Sequence, residues 1–204
     1  MPSEVDLCND ALGQIGQSPI TSLSDGSTNA NYATTFYPNL RDSLLMNTNW
    51  TFNRKRVQLA QLPTPPLYEF AYQYQLPADF LKLVEYLGDA FNPNTANVLQ
   101  LFDTNTDPSF ERYKVEGRTL LTNDSIVFIT YSKQITDPNF FSPLLYQCMT
   151  SWLAAKLASA INKDSKLSMS LLKVAMDLLS EAMSVDGQQD SIDPFVVPDL
   201  RWGR

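Results

Sequence analysis

Four carboxylates, Glu69, Asp79, Glu85 and Asp89, lie close together along the chain. Two acids suffice for hydrolysis of a glycosidic bond. One protonates the leaving oxygen, and the other attacks the sugar or activates a water. These four sit in strand-like or turn-like segments, where a solvated or turn-capping acid is the ordinary occupant. Other chemistry is excluded by what is missing. The chain has no histidine, which removes Ser-His-Asp and Cys-His nucleophiles and zinc sites with an imidazole ligand. Its two cysteines, Cys8 and Cys148, form no close-spaced motif. Both fall in helix-like segments and read as reduced, buried thiols acting as small hydrophobes. Gly13-Gln14-Ile15-Gly16 ends a helical pattern and lacks the lysine of a phosphate-binding loop. No catalytic, cofactor-binding or metal-ligating residue is therefore assigned, and no cofactor is expected.

The 204 residues carry 44% hydrophobic, 11% aromatic and 18% charged side chains, with a net charge of −7 and a pI near 4.5. Such a chain can bury a sizeable core. Its low charge suits contact between subunits, where burying charge is costly. The acidic balance opposes a nucleic-acid grip, which needs a basic face. The one basic cluster, Arg54-Lys55-Arg56, reads as a solvated turn or an intersubunit salt-bridge partner. The first residues lack the basic and apolar regions of a signal peptide. No apolar run approaches the ~20 residues that span a bilayer.

The spacing predicts a helix over Val5–Ile15, opened by Ser3 with Asp6 and stopped at Gly16. A second is expected over Asn29–Asn47, kinked or broken near Tyr37 by Pro38. Asn49–Asn53 alternates like a strand. Pro63-Thr64-Pro65-Pro66 marks a boundary. Beyond it, Tyr68–Leu76 alternates aromatics with polar residues, and strands are predicted over Phe80–Leu87, Leu99–Phe102, Tyr113–Val115, Thr119–Leu121 and Ile126–Tyr131. Helical pattern returns at Ser142-Pro143 and runs to about Ile161, with Ala154, Ala155, Ala158 and Ala160 allowing close approach of another backbone. A fourth helix starts at Ser165, carries Leu167, Leu171, Val174, Leu178 and Met183 on its apolar stripe, and stops at Gly187. Gln188–Arg204 holds Pro194 and Pro198 yet is too rich in Phe, Val, Leu and Trp for a solvated tail. It reads as an extended arm that orders on docking, with aromatic and arginine anchors.

The fold class is thus α+β and mainly helical: two helices, a small antiparallel β insert, two further helices and an extended C-terminal arm. Residues 1–62 and 138–187 are expected to hold the helical domain, 63–137 the inserted β domain and 188–204 the arm.

Four stretches resemble the tail tubular protein A and head-to-tail adaptor (connector) family of short-tailed phages. They are Leu7-Cys8-Asn9-Asp10-Ala11-Leu12-Gly13-Gln14-Ile15-Gly16 with Pro19–Leu23; Leu40-Arg41-Asp42-Ser43-Leu44-Leu45 running to Trp50-Thr51-Phe52; Tyr72-Gln73-Tyr74-Gln75-Leu76-Pro77-Ala78-Asp79-Phe80-Leu81-Lys82; and Phe141-Ser142-Pro143-Leu144 leading into Trp152–Ala158. Together they cover residues 5 to about 160. The resemblance implies a four-helix bundle with a β domain inserted between helices two and three, in a structural, non-enzymatic virion protein at the head–tail junction, made in the host cytoplasm. Twelve copies would form a homo-oligomeric ring that binds the portal protein on one face and the tail nozzle protein on the other. DNA would pass through the ring without sequence-specific binding, and an acidic lumen would let it slide. The arm would dock on the portal through Phe195, Val197, Leu200, Arg201, Trp202 and Arg204, with no membrane contact. Two other readings stay open: a virion-associated peptidoglycan hydrolase using a carboxylate pair such as Glu69 and Asp79, and a monomeric binding module unrelated to virions.

Overall fold

The computed structural model describes residues 2–88 and 113–189. The chain is α+β, with four α-helices and two antiparallel sheets among the described residues. The predicted strand Leu99–Phe102, Asp89, and the arm residues Phe195, Val197, Leu200, Arg201, Trp202 and Arg204 lie outside the described residues.

α1 (Glu4–Gln14) begins where Ser3 and Asp6 form a reciprocal capping box. It ends because Gly16 takes a left-handed φ of 71° that a side chain would strain. α2 (Thr28–Asn47) is capped by the Ser27 hydroxyl. It runs through Pro38 without interruption, contrary to the break expected near Tyr37. Proline removes the donor for the Thr34 carbonyl, and Thr34 is exposed, so solvent can satisfy it. The Asn39 amide also donates to the Thr35 carbonyl at 3.1 Å. α3 (Pro143–Leu157) starts at the predicted Ser142 cap, followed by proline at the first position, and passes into a π-helical turn over Ala158–Asn162. Lys163 in left-handed conformation then turns the chain. Asp164 caps α4 (Ser165–Gly187) by accepting from the Lys166 and Leu167 amides.

The seven strands among the described residues lie between α2 and α3 in the chain: β1 (Arg54–Gln58), β2 (Ala60–Gln61), β3 (Tyr72–Gln75), β4 (Phe80–Leu87), β5 (Tyr113–Glu116), β6 (Thr119–Thr122) and β7 (Phe128–Lys133). One sheet has the order β1-β7-β4 and the other β2-β3-β6-β5, with every pairing antiparallel. The predicted strand at Asn49–Asn53 is absent; the strand forms at Arg54–Gln58 and pairs with β7. The reason is that Trp50 and Asn53 bend back over the end of α2. Trp50 Nε1 donates to the Leu44 carbonyl at 2.9 Å and Asn53 Nδ2 to the Leu45 carbonyl at 3.3 Å. These carbonyls belong to the last turn, which lacks intrahelical donors. The alternating run from Tyr68 likewise shortens to Tyr72–Gln75, since Glu69 has a φ of 72° and cannot continue a strand.

Two apolar cores result. The helical core takes Leu7, Leu12, Tyr37, Leu45, Trp50, Leu145, Met149 and Leu153, all nearly inaccessible. The β core draws Tyr74 and Leu120 from one sheet and Ile129 and Tyr131 from the other, so the two sheets share it. α3 packs against α1, α2 and α4. Its small residues permit this as expected: Ser168 Oγ donates to the Ala155 carbonyl at 2.8 Å, and Cys148 Sγ to the Ala175 carbonyl at 3.3 Å.

Candidate functional site

Each carboxylate singled out by sequence and present among the described residues has a local partner. Glu69 is 3.5 Å from Lys114 Nζ at the bend before β3. Glu85 on β4 accepts from the Thr130 hydroxyl on β7 at 2.7 Å. Asp79, in the turn before β4, accepts from the Tyr131 hydroxyl at 2.8 Å and lies 3.5 Å from Lys55 Nζ. Burial pushes the Asp79 pKa up, but the Tyr131 hydroxyl and the Lys55 charge outweigh it and hold the carboxyl below the usual range. That is the setting of an acid kept ionised, not of a proton donor near neutrality. Among the described residues that line the concavity over β1, β7 and β4, about 450 Å³, Glu85 is the one acid. Among the described residues no group of three or more His, Cys, Asp or Glu is placed to hold a metal ion.

The basic cluster reads differently in three dimensions. It forms β1, not a turn. Arg54 donates to the Asn49 carbonyl at 2.9 Å, and Lys55 pairs with Asp79 of the same subunit. The cysteines are buried and far apart in role: Cys8 sits in α1, Cys148 in α3. Burial, reinforced by the nearby Glu4 charge, pushes the Cys8 thiol up to about 12; burial pushes Cys148 to about 11. Thiols held that high are protonated and poor nucleophiles at neutral pH.

The polar residues within the four distinctive stretches tie elements together. Asn9 accepts from the Ile20 N–H at 2.7 Å and donates to the Ile20 carbonyl at 2.9 Å, fixing the segment after α1. Arg41, with its side chain 7% exposed, bonds Glu4 of α1 at 3.1 Å and Asp42 at 2.9 Å. Asp42 also accepts from Gln134 at 2.6 Å, beside the end of β7. Trp50 closes α2, Asp79 links the turn before β4 to β7, and Ser142 opens α3. Asp186, near the end of α4, accepts from both the amide and the hydroxyl of Thr51, at 2.9 and 2.8 Å. Sequence reading anticipated the Ser142 cap, but not the pairs Asn9–Ile20, Arg41–Glu4, Asp42–Gln134, Asp79–Tyr131 and Asp186–Thr51, each of which joins positions far apart in the chain.

What the described residues do offer is exposed apolar surface. Leu67 is 98% exposed, Tyr68 78%, Phe140 62% and Met169 72%. Val174 and Met183, assigned by periodicity to the core stripe of α4, are exposed, and Ala175 and Ala182 are buried in their place. Small residues occupy the centre of that face because α3 lies so close. Among the described residues no helix is long and apolar enough to cross a membrane. Compared with known proteins, the chain matches no family model and no curated protein.

Proposed function

We propose that this protein is a structural virion subunit: a head-to-tail adaptor that assembles as a ring, joins a portal to a tail nozzle, and encloses part of the DNA ejection channel. In this reading the four helices form a bundle, the strands form an inserted β domain, and the C-terminal arm docks on the portal.

The observation that carries the reading is the use made of the four resemblance-bearing stretches. Asn9, Arg41, Trp50, Asp79 and Ser142 each join or cap elements, and they do so in a chain ordered helix, helix, strands, helix, helix. Residues spent on joints specify a scaffold. The acids that a hydrolase reading needs are engaged with Lys114, Thr130, Tyr131 and Lys55. Exposed Leu67, Tyr68 and Phe140 supply contact surface of the kind that interfaces bury. Arms that bind weakly one at a time bind strongly as a ring, since each later contact is intramolecular.

The test is electron microscopy of the protein mixed with its portal. A ring of additional density below the portal is expected, lost on removal of residues 188–204. Trp202→Ala should weaken portal binding by ~2 kcal/mol or more if that side chain is a buried anchor. Normal assembly of the truncated chain would overturn the docking role of the arm.

A further inference from the structure

α4 carries more apolar surface than its own subunit covers. It faces α3 with buried Ala175 and Ala182, and Leu171, Leu178 and Leu179 pack on the helical core. Met169, Met176 and Met183 stand seven residues apart, which at 3.6 residues per turn sets them in one column along the helix. They are 72%, 53% and 38% exposed. On the same helix Ser168 and Leu172 line a groove of about 360 Å³ whose other walls include Phe36, Trp152 and Ala155.

Charge on the same helix is divided. Lys166 and Lys173 occupy its N-terminal half, Asp177 and Glu181 its C-terminal half, and all four are exposed. None of them makes an ion pair among the described residues. The helix spans Ser165–Gly187, so its midpoint falls at Met176.

We infer that this methionine column seats the same helix of a second copy of the chain, running antiparallel about a two-fold axis at Met176. In that arrangement Met176 meets its counterpart, and Met169 meets Met183 of the partner subunit. The lysine half of each helix then lies along the acidic half of the other. A parallel pairing sets like charges together and is opposed by the same side chains. Methionine suits such a contact because its unbranched, polarisable side chain fills irregular gaps. The contact is isologous and closes at two copies, so it belongs to the free protein and does not depend on the ring reading.

The test uses the full chain without portal. Met176→Cys under mild oxidation should give a covalent dimer on a non-reducing gel, the native cysteines being buried. Met169→Cys alone should not, whereas Met169→Cys mixed with Met183→Cys should. Sedimentation equilibrium should show a wild-type dimer whose dissociation constant rises at least tenfold in Lys166→Glu/Lys173→Glu. Adding Asp177→Lys/Glu181→Lys should restore it. Circular dichroism verifies that each variant folds. A wild-type chain monomeric at every concentration, or Met169→Cys cross-linking as well as Met176→Cys, overturns the inference. Portal assembly by the same preparations reports separately on the adaptor reading.

Discussion

Replacing Asn9 by alanine isolates the energetic role of one motif residue. Its amide satisfies both backbone groups of Ile20, a residue only 4% exposed. Each bond contributes about 1 kcal/mol net, and a buried backbone group left unpaired costs about 1–3 kcal/mol. Asn9 is half-buried, so water can enter part of the vacated space and the total falls below the sum of both penalties. The expected loss is ~2–4 kcal/mol, read as a lower urea midpoint with an unchanged slope in circular dichroism. Asn29→Ala is the comparison. Its single bond, to the Ser18 carbonyl at 3.0 Å, lies in an exposed setting, and its loss should cost less than about 1 kcal/mol. Asn9→Asp keeps an acceptor for the Ile20 N–H but turns a carboxylate oxygen toward the Ile20 carbonyl. It should match alanine at neutral pH and recover part of the loss below pH ~4, where a protonated carboxyl can donate. If Asn9→Ala lies within about 0.5 kcal/mol of wild type, the clamp does not hold the segment and the structural account of the motif fails.

Further outcomes follow from the other joints. Cys8 and Cys148 should resist alkylation at pH 8 in the native protein and react on unfolding, because burial raises both thiols; fast native labelling contradicts the packing. Arg41→Ala should destabilise by about 2–4 kcal/mol, since it strips a buried guanidinium from Glu4 and Asp42, and urea unfolding reads this directly. Asp79 titrates below the usual carboxylate range, so its contribution is present above the unfolded pKa and is lost as pH falls through the lower folded pKa. Carboxyl NMR should show that pKa rising toward normal in Tyr131→Phe; no movement removes the hydroxyl as a cause.

The sequence by itself set the local boundaries. Ser3 with Asp6, Ser142 with Pro143, and Gly16 and Gly187 act within a turn of the backbone, so the helix ends they mark appear where expected. The runs Phe80–Leu87, Tyr113–Val115 and Thr119–Leu121 became strands as expected, and the run expected at Ile126–Tyr131 formed its strand two residues later, at Phe128–Lys133. The absence of histidine, and with it a whole range of chemistry, was also legible at once. Tertiary structure decided whatever depends on a partner distant in the chain. Trp50 left its alternating run to cover the end of α2, and Arg54–Gln58 became a strand because β7 offered it a ladder. Asp79 met Tyr131, and Asp186 met Thr51, across separations that no spacing rule reaches. On α4, composition showed an apolar helix, but only the closeness of α3 chose Ala175 and Ala182 for the buried line and left the methionines outside. Periodicity reports how much apolar surface a helix carries; which part is covered depends on the distance to its neighbour.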